Sequence, residues 1–144
     1  MRARGWSILR IDAEMTLHDA AMVRIAQWWR RSIRSGYGYA QVWSVTRRTG
    51  LPLYGRELAR AMLWGVAMPV VILVASILYL PAGLALTMLY PLQTIRIAVA
   101  RGAGQKLSWS YALLMTVAKF AEARGALRFI ASGRRQKVAI DYKA

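Results

Sequence analysis

Two short stretches carry the side chains that could do chemistry. In Glu14-Met15-Thr16-Leu17-His18-Asp19 the single histidine of the chain stands next to one of its six acids. An imidazole beside a carboxylate could ligate a metal, form half of an acid–base pair, or simply open a helix with Asp19 as its N-cap. Further on comes Gln27-Trp28-Trp29-Arg30-Arg31, followed by Arg34. Guanidinium forks match phosphate and diphosphate oxygens in a bidentate way that lysine cannot reproduce. Tryptophan faces beside them suit sugar rings or the lipid interface.

Several chemistries are excluded cheaply. With one histidine and no cysteine, a His-Asp phosphohydrolase centre, thiolate metal sites, disulfides and a cysteine nucleophile all lack their parts. No G-x-S-x-G turn exists to support a Ser-His-Asp triad. Gly102-Ala103-Gly104 is too short and wrongly placed for a dinucleotide loop. Asp12-Ala13-Glu14 has the D-x-D spacing of a nucleotide-sugar metal site, which alone is a weak signal.

The elements that would position these residues follow from periodicity. Trp6 to Ile11 is short, partly alternating and β-branched, and reads as a strand. From Ala20 to about Ser35 the apolar residues Ala21, Ile25, Trp28, Trp29 and Ile33 recur at helical spacing. Gln27, Arg31 and Arg34 then share one face, with Arg24 close by and Arg30 toward its edge. Gly36 stands where a C′ glycine would end this helix. The plain alternative is an interfacial amphipathic helix, its arginines on lipid headgroups and Trp28 or Trp29 in the acyl region.

Composition points to a membrane. Hydrophobic residues make up 57% of the chain, yet the net charge is +15, from 21 Lys+Arg against 6 Asp+Glu. Arginine with six tryptophans and seven tyrosines suits the cytoplasmic headgroup layer. The N-terminal residues contain no apolar run of signal-peptide type. From Ala61 to Ile95 there is no charge, and a single helix of that length would run roughly 50 Å, too long for one crossing of a ~30 Å core. Leu80-Pro81-Ala82-Gly83 is the expected turn, giving a hairpin with arms at about 61–80 and 84–99. Eleven basic residues precede the uncharged stretch and ten follow it, so a hairpin keeps both flanks on the positive side. A shallow re-entrant hairpin, or a buried helix pair in a larger assembly, would show the same pattern.

The next helix should open near Ser108 or Ser110, with Leu113, Leu114, Val117, Phe120 and Ala121 on one side. Lys119, Glu122, Arg124 and Arg128 fall opposite or flanking, as in a helix lying on the bilayer. Lys119 and Glu122 argue against a third span, and Gly125 marks a weak point. The tail from Arg134 is basic and carries no assignable chemistry.

Residues 2–40 resemble the C-terminal part of bacterial family 2 glycosyltransferases. Arg2-Ala3-Arg4-Gly5-Trp6 is similar to the end of the helix after that family's acidic motif, and Ser7 to Ile11 to the following strand. His18 matches its histidine, and Gln27 to Arg31 are a variant of its Q-x-x-R-W element. The Leu63-Trp64-Gly65 and Tyr90-Pro91-Leu92-Gln93 segments resemble its membrane region. The resemblance implies His18 as a ligand of Mn²⁺ or Mg²⁺ on the nucleotide diphosphate, and Gln27, Trp28, Trp29, Arg30 and Arg31 at the acceptor and diphosphate. Arg31 stands where the family's final tryptophan would, with Trp29 available to stack instead. Asp19 is the one carboxylate near enough to be considered as base, although it lies beside the histidine rather than at the family's base position.

The expected fold is therefore mainly α with a small α/β remnant of a GT-A-type domain, a helical transmembrane hairpin and interfacial amphipathic helices. Residues 1–52 would be the catalytic-domain piece, 53–100 the membrane hairpin, and 101–144 an amphipathic helix with a cytoplasmic tail. The resemblance implies the acceptor-side and membrane-anchoring part of a transferase in polysaccharide biosynthesis. It would use a nucleotide-sugar donor and a lipid-linked or polysaccharide acceptor. Met1 falls just after the expected base-bearing motif, so a truncated or split enzyme is expected, inactive without a donor-binding polypeptide. The alternative is a small non-enzymatic basic membrane protein that binds anionic lipid or a partner subunit. Either would sit in the bacterial inner membrane with both termini cytoplasmic. Nucleic acid is not an expected partner, because the apolar third of the chain has no place in such binding.

Overall fold

The computed structural model describes residues 24–48 and 51–132. Trp6 to Ile11, His18, Asp19 and the tail from Arg134 lie outside them. The described residues are mainly α-helical and contain no strand. Helix α1 runs Ile25–Thr46 and α2 Gly55–Met62. A π-helical turn, Leu63–Ala67, leads into α3, Met68–Leu78. Then come α4 (Leu80–Thr87), α5 (Leu89–Arg101) and α6 (Lys106–Ala131).

Three prolines set the breaks in the middle of the chain. Pro81 lies in the first turn of α4, where its missing N–H costs nothing. The turn therefore falls before it, at Tyr79, whose backbone is extended (φ −156°, ψ 99°). Pro81 and Gly83 were expected to make the turn itself; instead both lie within a helix, and Gly83 packs against Ser76 of the other arm. Pro91 cannot bond the Thr87 carbonyl, and α4 yields to α5 at Met88. Pro69 acts on the other arm. In π-helical register the Trp64 carbonyl would accept from the amide of residue 69, which has none. The Tyr90 hydroxyl donates to that carbonyl instead, at 2.7 Å, and ties the two arms together.

The arms Gly55–Leu78 and Leu80–Arg101, of 24 and 22 residues, are long and apolar enough to cross a membrane, and little of either is buried within the chain. Helix α6 lies antiparallel to α5. Tyr90 stacks on Phe120 at 5.6 Å, Thr94 and Thr116 share a hydroxyl hydrogen bond of 3.1 Å, and Arg101 covers the Tyr111 ring at 4.0 Å. Beyond Phe120, α6 also packs on α1, while Ala123 stays against Gly65 of the first arm. Helices α3 and α4 come within 8 Å (Cα–Cα) of neither α1 nor α6, so the hairpin tip stands clear of the rest.

The packing is inverted relative to a water-soluble protein. Among the described residues every buried hydrophobic side chain is an alanine: Ala40, Ala61, Ala98, Ala112, Ala118, Ala121, Ala123 and Ala126. Ser32, Ser108, Thr116 and Glu122 are buried with them. The bulky residues face outward, with Ile77 75% and Leu78 80% exposed at the hairpin tip and Leu107 72% and Leu113 58% on α6. In water each bulky aliphatic side chain left outside forgoes about 1.5–3 kcal/mol of burial, and a core of alanines cannot offset the ordering of the chain. In lipid the outward Leu, Ile and Val meet a solvent as apolar as themselves, and small inward residues let helix backbones close on one another.

Two further expectations are corrected by the same packing. Gly36 does not end α1, which continues to Thr46; a Cβ at Gly36 would run into the backbone of Glu122. Gly125 does not break α6. It lies against the Ile33 carbonyl and the Tyr37 amide. Both glycines serve close approach of two helices rather than a turn. Helix α6 also opens at Lys106, ahead of Ser108, and Lys119 and Glu122 turn inward rather than to the outer face. They pair with each other at 2.7 Å.

Candidate functional site

The Trp–Arg edge of α1 is held by the opposite face of the same helix. Ser32, Gly36 and Ala40, spaced four apart, form the buried stripe that docks on α6. The Ser32 hydroxyl donates to the Trp28 carbonyl at 3.0 Å, keeping its polar atom satisfied within the contact. With that stripe facing α6, Gln27, Arg30, Arg31 and Arg34 are exposed, while Trp28 and Trp29 are half-buried with ring centroids 6.2 Å apart. Arg30 Nε donates only a long bond, 3.4 Å, to the Ala26 carbonyl. The structure thus brings the five expected acceptor-side residues together on the first two turns of α1. They form an open edge rather than a closed pocket. His18 and Asp19, expected as metal ligand and candidate base, lie outside the described residues.

The described residues do not fit a divalent metal. No group of three His, Cys, Asp or Glu gathers among them. Glu57 and Glu122 are their only carboxylates, and Glu122 already accepts from Lys119. The same two carboxylates bear on Tyr39 of α1. Burial, then Glu122 and then Glu57 raise its phenol pKa above 10.0. Tyr39 stacks on Tyr54 at 5.3 Å, which anchors the left-handed backbone (φ 59°) at the start of α2.

A second site was not expected from the sequence. Between α2, α5 and α6 lies a cavity of about 530 Å³ lined by Arg60, Arg96 and Lys119, with Gln93, Thr116 and Tyr111. Leu63, Trp64, Ile97 and Met115 complete its wall. Three cations, an amide and two hydroxyls thus converge on one space with an apolar side. In the sequence Arg96 is only a charge inside the expected second arm, and Lys119 one opposite or flanking the apolar side of its helix. The signal that could have revealed the site is simple: Arg60 and Arg96 bracket the uncharged stretch, 19 residues before and 17 after Tyr79. Any fold-back at Tyr79 returns the two guanidinium groups to one level.

Comparison with protein-family models, curated proteins and solved structures yields no match for this chain.

Proposed function

We propose that this chain is the acceptor-side and membrane-anchoring part of a glycosyltransferase acting at the bacterial inner membrane, with both termini cytoplasmic. In this reading the helical hairpin lies in lipid, and α1 presents Gln27, Arg30 and Arg31 to a sugar acceptor and diphosphate at the membrane surface. The donor is a nucleotide-sugar; the acceptor is lipid-linked or a polysaccharide. Trp28 and Trp29 offer ring faces to the acceptor sugar. Helix α1 belongs to the small GT-A-type remnant, whose strand, base and Mn²⁺ or Mg²⁺ ligands belong to residues outside 24–132 or to a separate donor-binding polypeptide.

The observation that carries the membrane part is the alanine-lined core beneath an outward layer of Leu, Ile, Val and aromatic side chains. What supports the transferase part is the resemblance across residues 2–40, together with the shared exposure of Gln27, Arg30 and Arg31. A charged hydrogen bond is worth about 1.5–3 kcal/mol, which corresponds to roughly ten- to a hundredfold in rate. Arg30→Ala should therefore lower transferase activity of the complete enzyme by about that factor, while flotation with liposomes stays unchanged. Weaker flotation with no activity to lose would instead favour a non-enzymatic basic membrane protein. That second reading is favoured by one observation, the cation-lined cavity between α2, α5 and α6.

A further inference from the structure

We infer that the cavity between α2, α5 and α6 is a phosphate-binding site, fitted to the headgroup of an anionic lipid. The inference rests on the proposed insertion of the hairpin in lipid. Arg60 and Arg96 have no carboxylate partner among the described residues, where the one ion pair is Lys119–Glu122. Both residues are exposed where they line this one cavity, and an anion between the two guanidinium groups relieves the repulsion of like charges. Lys119, tethered by Glu122 at 2.7 Å, stands beside them as a further donor. The Gln93 amide supplies a neutral donor, as a phosphate oxygen not facing a cation requires.

Depth selects the lipid headgroup. Along the helices Arg60 lies about 28 Å and Arg96 about 26 Å from the turn at Tyr79. A hairpin spanning a ~30 Å hydrocarbon core therefore brings both to the headgroup boundary. Basic cavities between membrane helices at that level bind lipid phosphates. Leu63 and Leu92, exposed about one turn nearer the hairpin tip than Arg60 and Arg96, leave an apolar surface along which acyl chains can lie.

The test uses the full chain in phosphatidylcholine nanodiscs containing a minor fraction of phosphatidylglycerol. Native mass spectrometry reads the retained anionic lipid. A second arm titrates inorganic pyrophosphate into the protein in neutral detergent by calorimetry. Wild type should bind a phosphate species, and R60Q/R96Q should bind it about tenfold more weakly or worse. R47Q/R48Q, which removes the same charge from the segment after α1, should bind as wild type. R60K/R96K keeps the charge and should retain most of the binding if the loss in R60Q/R96Q reflects the site rather than misfolding. Phosphatidylglycerol alone bound identifies the lipid headgroup as the source; pyrophosphate bound as well identifies phosphate of either source. Equal loss in R47Q/R48Q, or no binding of either species by wild type, would overturn the site. Failure to enter nanodiscs would count against the membrane reading alone, since the pyrophosphate arm would still read the cavity.

Discussion

Gly125→Ala should lower the thermal midpoint of the detergent-solubilised protein, and Gly38→Ala should raise it. Both changes replace a helical glycine with the best helix former, a gain of about 1 kcal/mol in propensity. At Gly38 nothing lies within 4 Å of the added Cβ, so the gain stands alone. At Gly125 the Cβ meets the Ile33 carbonyl and lies 2.8 Å from the Tyr37 amide, backbone atoms of another helix that cannot swing aside. Forcing such helices apart costs about 1–3 kcal/mol or more, which outweighs the propensity gain. Gly125→Leu should deepen the loss and release α1 from α6. Circular dichroism melts of the three variants check the order. Equal shifts at residues 38 and 125 would mean that α1 and α6 do not meet as described.

The Lys119–Glu122 pair should behave as a unit. Its side chains are 19% and 9% exposed, so neither charge can recover full hydration if its partner is lost. Glu122→Met or Lys119→Met alone should destabilise the protein by about 3–5 kcal/mol. The double variant should return to within about 1–2 kcal/mol of wild type, because both desolvation costs vanish together. A double-mutant cycle of denaturant midpoints in mixed micelles measures the coupling. Additive losses would show that the two charges do not interact in the embedded protein.

Much of the architecture was legible in the sequence, and the parts that were not share one cause. The uncharged stretch between Arg60 and Arg96, with its proline and glycine, gave the two-armed hairpin, because charge exclusion is a one-dimensional signal. The exact turn was not legible: a proline both stops one helix and starts the next, and Tyr79 rather than Pro81 takes the extended backbone. Gly36 and Gly125 read locally as a cap and a weak point. Close approach of a second helix, invisible in a window of sequence, makes them contact points instead. The same blindness puts Lys119 and Glu122 opposite or beside the apolar stripe of α6, since the sequence pattern alone is that of a helix lying on a bilayer. In this chain the stripe of small residues marks the inside. Of the candidate site, the shared face of Gln27, Arg31 and Arg34, with Arg30 toward its edge, follows from helical spacing, whereas the cavity needed three helices from separate parts of the chain.

The claim that the bulky outer surface meets lipid is tested most directly by spin-label depth. The chain has no cysteine, so Val70→Cys, Leu73→Cys and Gly104→Cys each give a single labelling position. In liposomes, labels at residues 70 and 73 should collide freely with dissolved oxygen and be shielded from a water-soluble nickel chelate. The label at residue 104, in the turn between α5 and α6, should show the reverse. Nickel accessibility at residue 70 equal to that at residue 104 would contradict the membrane-embedded hairpin.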